Sequence, residues 1–493
     1  MCIRDRLTIK HSTFSGQDNS ATSLTIVESN VSMTETSFIS NQVGRYQTIN
    51  HPEPFSARVG GALIVTHSTL AIDNCHFKGN RANIGGAIFS EFESNISISH
   101  STFTSNQATG CGSVHCFGGT LFIDGVSTVI VHNSTFQNNT SDQDGGVAVV
   151  FNAIFVLSQS YIYNNTATRY GGMVAMFHSS TAIIDNSTLK HNTAHVAGGV
   201  VFVEHASNIT INNSSLTNNS AVDSGGVLFA KAISSVTLND STVCNNTARS
   251  GGVIYASGNT ITTISNSNFS LNKADSNERG VSLYEGGVIL LNNNSKIMIS
   301  SSTFTHNKAG NGGGVVSSIE SNASSFISVV ISSSNFSSNM AGDFGGVVHL
   351  QYGGSALVND SIFYYNRAAV DGGVFDGYTT TSIKVFRSIF ANNTAKDHGG
   401  VSSIKQGSKF FTEGSEFHNN IHTNFGAVVY ALNGSVTTTH DCIFTQNSAN
   451  YGGVLAAERN GTVTIDNGTF SDCLLYTSPS PRDATLSRMP SSA

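Results

Sequence analysis

Five aspartates that precede glycine pairs are the side chains best placed for chemistry. They lie one or two residues before a Gly-Gly pair and are Asp144, Asp223, Asp343, Asp371 and Asp397. In a repeating fold, carboxylates of adjacent repeats could approach to about 5 Å, the separation that retaining glycosidases use. Their offset from the glycines varies, however, and no basic residue recurs beside them. A turn-forming role is therefore the simpler interpretation, with a calcium-binding row as a weaker alternative.

The histidines and cysteines show no spacing typical of a metal or nucleophile site. The histidines considered are His191, His306, His349 and His398. They share no ligand spacing, and we interpret them as surface or turn residues. Cys111 and Cys116 are the only local pair among seven cysteines. Buried free thiols fit that pattern better than a zinc site. The sequence thus predicts no catalytic residue, no cofactor and no metal.

Composition excludes several classes of function. The 493 residues carry only 11% charged side chains, no Trp and a net charge of -7. There is no basic footprint for nucleic acid and no uninterrupted apolar run long enough for a transmembrane segment. Hydrophobic residues reach 39% and recur at fixed intervals, which favours a regular buried row over disorder.

The glycine pairs open a repeat that fills nearly the whole chain. In residues 198–221, Gly-Gly and an apolar run are followed by a polar turn, an alternating strand and an apolar residue three positions before Asn. The period is about 27 residues, which is typical of a solenoid. The apolar stretches are short and β-branched or aromatic, so they predict strands. We therefore expect an all-β parallel β-helix with two or three strands per turn.

About sixteen coils spaced by roughly 4.8 Å would form a rod on the order of 75 Å long. The recurring aromatic is expected to form a buried column in the core. The column comprises Phe77, Phe103, Phe136, Phe269, Phe304, Phe336, Phe363, Phe390, Phe417 and Phe444. Four coils carry Ile162, Leu189, Leu216 or Val243 in that place.

The recurring Asn is expected to satisfy turn backbone groups and to form a side-chain ladder between coils. The ladder comprises Asn80, Asn106, Asn139, Asn165, Asn192, Asn219, Asn246, Asn272, Asn307, Asn339, Asn366, Asn393, Asn420 and Asn447. The glycine pair would allow positive φ or close backbone approach where the next strand begins.

The third residue after the glycine pair is aromatic in some coils and Asp or His in others. Such variety indicates a solvent-facing position, so Phe202, Phe229 and Tyr255 could form an exposed aromatic ladder that stacks on sugar rings or docks a protein. The alternative is that this register faces inward wherever it is aromatic.

The repeat resembles a known family. Openings such as Gly85-Gly86-Ala87-Ile88 and closings such as Phe103 to Asn106 are similar to the repeats of the polymorphic outer membrane proteins. The resemblance implies a right-handed parallel β-helix of the pectin-lyase-like kind, displayed at a cell surface in an adhesive role. Most glycine pairs here are followed by Val, and the family's C-terminal barrel has no counterpart in the sequence.

Both ends are expected to be foreign to the fold. Residues 1–6 and 473–493 lack the repeat, and the second segment holds three of the five prolines. Residues 7–472 form the predicted β-helix domain. Within it four longer segments are expected to project as loops, namely 42–59, 117–126, 275–285 and 319–326.

The predicted function is a non-enzymatic extracellular or cell-surface scaffold that binds glycans or cell-surface proteins. Sequons such as Asn138, Asn186 and Asn245 are compatible with a secreted glycoprotein, although a chain rich in Asn, Ser and Thr produces them by composition alone. The alternative is a polysaccharide lyase or glycoside hydrolase on the same fold, in which Asp371 or Asp397 would be required for cleavage.

Overall fold

The computed structural model describes residues 2–3, 5–16, 18–19, 22–43, 58–110, 115–275, 285–319, 327–422 and 424–475. Within them the chain forms 68 β-strands and no helix. One coil contains four short strands, for example Val201–Val203, Asn208–Asn212, Ser215–Thr217 and Ser220–Ala221. Each strand pairs in parallel with its counterparts in the coils before and after it. The seventeen coils therefore build four long parallel sheets, A to D, around one interior.

The strands of the four sheets are as follows. Sheet A contains Cys2–Ile3, Leu24–Val27, Leu63–Thr66, Ile88–Glu91, Leu121–Asp124, Ala148–Phe151, Val174–Phe177, Val201–Val203, Leu228–Ala230, Ile254–Ala256, Ile289–Asn292, Val316–Ile319, Val348–Gln351, Phe375–Tyr378, Ser402–Lys405, Val429–Leu432 and Leu455–Glu458. Sheet B contains Arg6–Lys10, Asn30–Thr34, Thr69–Asp73, Asn95–Ser99, Thr128–His132, Ile154–Ser158, Thr181–Asp185, Asn208–Asn212, Ser235–Asn239, Ile261–Ser265, Lys296–Ser300, Ser328–Ser332, Ser355–Asn359, Ser382–Phe386, Lys409–Glu413, Val436–His440 and Thr462–Asp466. Sheet C contains Thr13–Ser15, Ser37–Ile39, His76–Lys78, Thr102–Thr104, Thr135–Gln137, Tyr161–Tyr163, Thr188–Lys190, Ser215–Thr217, Thr242–Cys244, Asn268–Ser270, Thr303–Thr305, Asn335–Ser337, Ile362–Tyr364, Ile389–Ala391, Glu416–His418, Ile443–Thr445 and Thr469–Ser471. Sheet D contains Asp18–Asn19, Gln42–Val43, Arg81–Ala82, Gln107–Ala108, Thr140–Ser141, Thr166–Ala167, Thr193–Ala194, Ser220–Ala221, Thr247–Ala248, Lys273–Ala274, Lys308–Ala309, Met340–Ala341, Arg367–Ala368, Thr394–Ala395, Ile421–His422, Ser448–Ala449 and Leu474–Leu475.

The prediction of a parallel β-helix is confirmed, but the expected two or three strands per turn was wrong. The fourth strand of each coil, in sheet D, has only two residues, such as Thr193–Ala194. Two residues are too few to show the alternation that marks a strand in sequence.

The middle residue of each sheet C strand points into the core. Between Phe269 and Phe444 the rings of this column stack with centroids 4.7 to 5.1 Å apart, and Phe77, Phe103 and Phe136 stack in the same way. All ten phenylalanines of the predicted column are fully buried. Ile162 and the three aliphatic residues that follow it fill the gap in the column.

The recurring Asn side chains form a buried ladder at the turn between sheets C and D. From Asn41 to Asn447 each Nδ2 donates to Oδ1 of the Asn in the next coil at 2.9 to 3.1 Å. The same amide also donates to the backbone oxygen of the preceding coil, as Asn219 does to Leu189. The ladder therefore satisfies polar groups that would otherwise be buried without partners.

A serine ladder, which was not predicted from the sequence, lies at the turn between sheets B and C. From Ser101 to Ser415 each backbone N–H donates to the serine Oγ of the next coil at 3.1 to 3.2 Å. The sequence does contain the pattern, because a Ser lies two residues before each aromatic or aliphatic residue of the core column in these coils.

The glycine pair lies where sheet D turns into sheet A, and its two members act differently. Gly198 has φ of +68°, a conformation that strains other residues. A Cβ on Gly199 would lie 2.1 Å from the backbone oxygen of Gly226 in the next coil. The first glycine permits the turn, and the second permits close stacking of adjacent coils.

The expected loop at 117–126 was wrong. Phe117 pairs with Ile84, and Leu121–Asp124 is a regular strand of sheet A, so this coil continues in register. The extra residues lie before Phe117, between Ala108 and Cys116. The other three expected loops fall mainly on residues 44–57, 276–284 and 320–326, outside the described part of the chain.

The ends predicted to be foreign are partly strand-paired. Cys2–Ile3 pairs with the sheet A strand Leu24–Val27, and Leu474–Leu475 pairs with Ser448–Ala449 of sheet D. Residues 476–493 lie outside the described part.

Candidate functional site on the outside of the β-helix

Two faces of the β-helix carry outward side chains that could bind or react. The first is the outer A face, formed by the second residue of each sheet A strand. The residue immediately before the glycine pair packs over this face, and these covering residues pair from coil to coil as isolated bridges. The covering residues include Ile84, Phe117, Asp144, Tyr170, Ala197, Phe344, Asp371, His398 and Phe425. The outer A face is thus a partly closed strip rather than an open surface.

The N-terminal half of this strip is a second hydrophobic cluster that contains Phe202, with Phe229 packed against it, from the predicted aromatic ladder. Phe202, Phe229 and Tyr255 stack in successive coils, with centroids 5.2 and 4.8 Å apart. Tyr170 stacks on Phe202 at 4.3 Å, which leaves Phe202 only 1% exposed. The prediction that Phe202 is solvent-exposed was therefore wrong. Phe229 and Tyr255 are half-buried, and the residues before the glycine pairs in this part of the strip are the smaller Ala197, Ser224 and Ser250.

The C-terminal half of the strip holds a polar cluster instead. His349 is 2% exposed, and its Nδ1 lies 2.9 Å from Oδ2 of Asp376 in the next coil. Lys405, one coil further on, has Nζ in contact with Asp371 and 3.8 Å from Oδ1 of Asp376. His398 Nδ1 lies 2.7 Å from Oδ1 of Asp371. Two carboxylates, two imidazoles and one ammonium group from three adjacent coils therefore meet on this face.

The charges of this cluster largely neutralise one another. Burial opposes ionisation of Asp371, but the hydrogen bond from His398 and the charge of Lys405 outweigh it and hold the Asp371 pKa below its ordinary value. Burial also lowers the pKa of Lys405, yet the charges of Asp376 and Asp371 overcome that effect and raise it. Asp371 is thus ionised and Lys405 protonated at neutral pH, so neither is available as a free acid or base.

His398 is the most accessible member of the cluster. Its side chain is 28% exposed and stacks on Tyr430 at 4.4 Å. The hydrogen bond to Asp371 engages Nδ1, so Nε2 is the nitrogen through which this imidazole could accept a proton or bind a ligand.

The remaining candidate carboxylates and imidazoles are separated from this cluster or lie at turns. Asp144 is buried and pairs with Arg169 in the other half of the strip. His191 and His306 are exposed turn residues with positive φ, as predicted. The interpretation of His349 as a surface or turn residue was wrong, because it lies within the strip under Phe344, with ring centroids 5.6 Å apart. Among the described residues, no group of three or more His, Cys, Asp or Glu side chains could hold a metal ion.

The second face is the outer B face, where every first, third and fifth residue of a strand points to solvent. The third positions form the middle B row, whose members follow one another from coil to coil in register. From Ile130 onward they are Ile130, Val156, Ile183, Thr210, Thr237, Thr263, Met298, Val330, Leu357, Lys384, Phe411 and Thr438. Exposure is 46% for Ile130, 45% for Met298 and 36% for Leu357. From Ile130 to Leu357, two groups of three apolar residues are thus separated by a group of three threonines along an open face.

Cysteine chemistry differs from the expectation at one position. Cys75 and Cys442 are buried free thiols, but Cys116 is disulfide-bonded. Cys111, its only close neighbour in sequence, lies outside the described residues. Where the chain is described, it contains no helix that is long and apolar enough to cross a bilayer.

Comparisons with known proteins support the fold and little else. Residues 111–269 match the family described as right handed beta helix region. No curated protein matches the chain. A solved structure of a mutant of the PL6 family alginate lyase AlyGC is similar over 95% of this chain and 97% of that chain, at 10% identity and a TM-score of 0.20. That score supports no inference about function.

Proposed function

We propose that the chain is a non-enzymatic binding scaffold that acts outside the cell or at its surface and recognises glycans. The observation that carries this proposal is the outer B face, where exposed apolar and hydroxyl side chains lie in register from coil to coil. Exposed apolar groups on a soluble protein mark interaction sites. An extended ligand that runs along the helix axis would meet several equivalent positions on this face.

Three further features support an extracellular, adhesive role. The repeats resemble those of the polymorphic outer membrane proteins, which we propose as their type. The disulfide at Cys116 fits an oxidising compartment. The sequon residues Asn138, Asn164 and Asn245 lie at turns with positive φ outside sheets C and D, where a glycan would not disturb the core.

A glycan array probed with the full chain tests the proposal. We expect binding of at least one class of glycan without release of products. Met298→Asp, on the outer B face, should weaken the binding because it places a charge within an apolar group. Thr303→Asp, on the outer surface of sheet C in the same coil, is the matched control and should leave binding unchanged. Binding to a protein partner but to no glycan would overturn the glycan assignment.

A polysaccharide-cleaving enzyme is the second candidate, favoured by the hydrogen bond between Asp371 and His398. A buried carboxylate that orients a partly exposed imidazole is an arrangement found in general-base catalysis. In this alternative His398 would accept a proton from the substrate, with Asp371 as the positioning residue. New reducing ends that appear with the wild-type chain and disappear with His398→Ala would favour it. His418→Ala, a comparably exposed histidine on sheet C, is the control.

A further inference from the structure

The outer B face carries a shallow groove in its C-terminal part that differs from the rest of the face. It has a volume of about 290 Å³, and its outward-facing lining residues are Ser382, Lys384, Phe386, Lys409, Phe411, Val436 and Thr438. Ligand sites generally occupy about 300 to 1,000 Å³, so the groove fits a small unit of a longer ligand.

Two Lys-x-Phe segments on adjacent strands form this groove. Lys384 and Phe386 lie on one strand, and Lys409 and Phe411 lie on the next. The register pairs Lys384 with Phe411, so the second segment is shifted by one outward position relative to the first. The two rings have centroids 5.7 Å apart and are tilted by 50°. Lys384 therefore has an aromatic residue on its own strand, Phe386, and another directly opposite on the adjacent strand, Phe411, whereas Lys409 has Phe411 on its own strand.

Charge distinguishes this groove from the apolar groups of Ile130 and Met298. Lys384 and Lys409 are exposed, and neither forms an ion pair with another described residue. Two ammonium groups without an ion pair, placed diagonally on adjacent strands of an acidic chain, favour an anionic ligand. Arg387, at the edge of the groove, is already paired with Asp360 at 2.8 Å. The exposed Glu413 lies beside Phe386, on the side away from Lys409.

The geometry points to a subsite for an acidic oligosaccharide, such as a chain of uronic acids, in this groove. A pyranose ring presents an apolar C–H face that can pack on Phe411 or Phe386, while its carboxylate pairs with Lys384 or Lys409. The hydroxyls of Ser382 and Thr438 can exchange hydrogen bonds with sugar hydroxyls. A peptide strand is disfavoured, because the sheet B strands here already pair on both sides and offer no free edge.

This inference rests on the proposed function, and one binding experiment distinguishes failure of the subsite from failure of the proposed function. The probes are a galacturonate hexamer, its fully methyl-esterified form, polyglutamate and vesicles of anionic lipid. The full chain should bind the acidic hexamer, and the K384A/K409A double variant should bind it about tenfold more weakly. The ester should bind both proteins equally. Phe411→Ala should weaken binding of both sugar forms, and Lys296→Ala, an exposed lysine in the same outward position but with no aromatic neighbour on its strand, should change neither.

Several results would overturn the inference. If array glycans bind but the hexamer is insensitive to the double variant or to Phe411→Ala, the subsite is wrong while the proposed function stands. If no glycan binds at all, both fail. If polyglutamate or the vesicles bind as tightly as the hexamer, the groove is a general anionic or membrane-binding surface rather than a sugar site.

Discussion

Phe304 and Phe336 lie one full coil apart in the chain, yet their rings stack with centroids 4.9 Å apart and planes 4° apart. The relationship repeats along the core column, so each ring that is not next to the aliphatic gap, such as Phe304, stacks on one ring above and one below. A single truncation therefore removes two ring contacts as well as buried area. Stability in such a solenoid resides mainly in the contacts between adjacent coils.

Phe304→Ala should destabilise the protein by about 3 to 5 kcal/mol, because it leaves a cavity in a fully buried column. Denaturant unfolding of the full chain measures the effect. Thr305→Ala changes the adjacent outward residue and should cost less than about 0.5 kcal/mol. A loss under about 1 kcal/mol for Phe304→Ala would contradict the packing described here.

Asn219→Ala should cost about 2 to 4 kcal/mol, since it removes the acceptor for both the backbone and the side chain of Asn192 and the donor to Leu189. All of these groups are buried, and water cannot replace the lost partner without entering the core. Thr217→Ala, on the outside of the same coil, is the control in the same unfolding assay. Equal losses for the two variants would show that the ladder adds nothing to stability.

Gly199→Ala should prevent close stacking of two coils, because its Cβ would lie 2.1 Å from one backbone oxygen and 2.5 Å from another. We expect a loss of more than about 4 kcal/mol or no soluble folded protein. Gly434→Ala is the comparison, because Gly434 has φ of +72° but open space around it. That change should cost only about 1 to 2 kcal/mol, the strain of the left-handed conformation. Hydrogen exchange at Gly226 and its neighbours provides a local readout if Gly199→Ala remains soluble.

The buried Glu91 should make stability depend on pH near neutrality. Burial and the charge of Asp124 raise the Glu91 pKa from 4.5 to about 7. The folded state therefore holds this proton more tightly than the unfolded state does. Stability should fall as pH rises from about 4.5 to about 7, by at most about 3 kcal/mol. Glu91→Gln should remove this slope, whereas Glu93→Gln, at an exposed turn, should retain it. An unchanged slope in Glu91→Gln would assign the pH dependence to other groups.

Much of the fold could be predicted because the residues that face the core recur with strict spacing. The core position of Phe336, the turn position of Asn339 and the position of the glycine pair could all be inferred from periodicity alone. The outer A face could not be predicted in this way. His349 and Asp376 share a register with Phe202, and that variety suggested exposure to solvent. In the structure the residue before the glycine pair covers the register, and buried polar members pair with one another. The variation of residue type at this repeat position therefore reflects pairing of side chains between adjacent coils, not exposure to solvent.

For a related reason, only part of the candidate site could be predicted from the sequence. Asp371 and His398 were each candidates from the sequence. The contact of Lys405 with Asp371 could not be predicted, because this lysine lies at the end of a strand in the following coil. The groove of Phe386 and Phe411 was also missed. Its two Lys-x-Phe segments are offset in register, so their lysines and phenylalanines do not recur at one repeat position.

Hydroxyl-radical footprinting of the full chain, with and without the array glycan that binds most strongly, tests the central claim most directly. If the outer B face is the binding surface, oxidation of the exposed Met298 and the half-buried Phe411 on it should fall when the glycan is bound. Oxidation of the half-buried Tyr255 on the outer A face should stay the same. Protection of Tyr255 with no change on the outer B face would contradict the assignment of the binding surface.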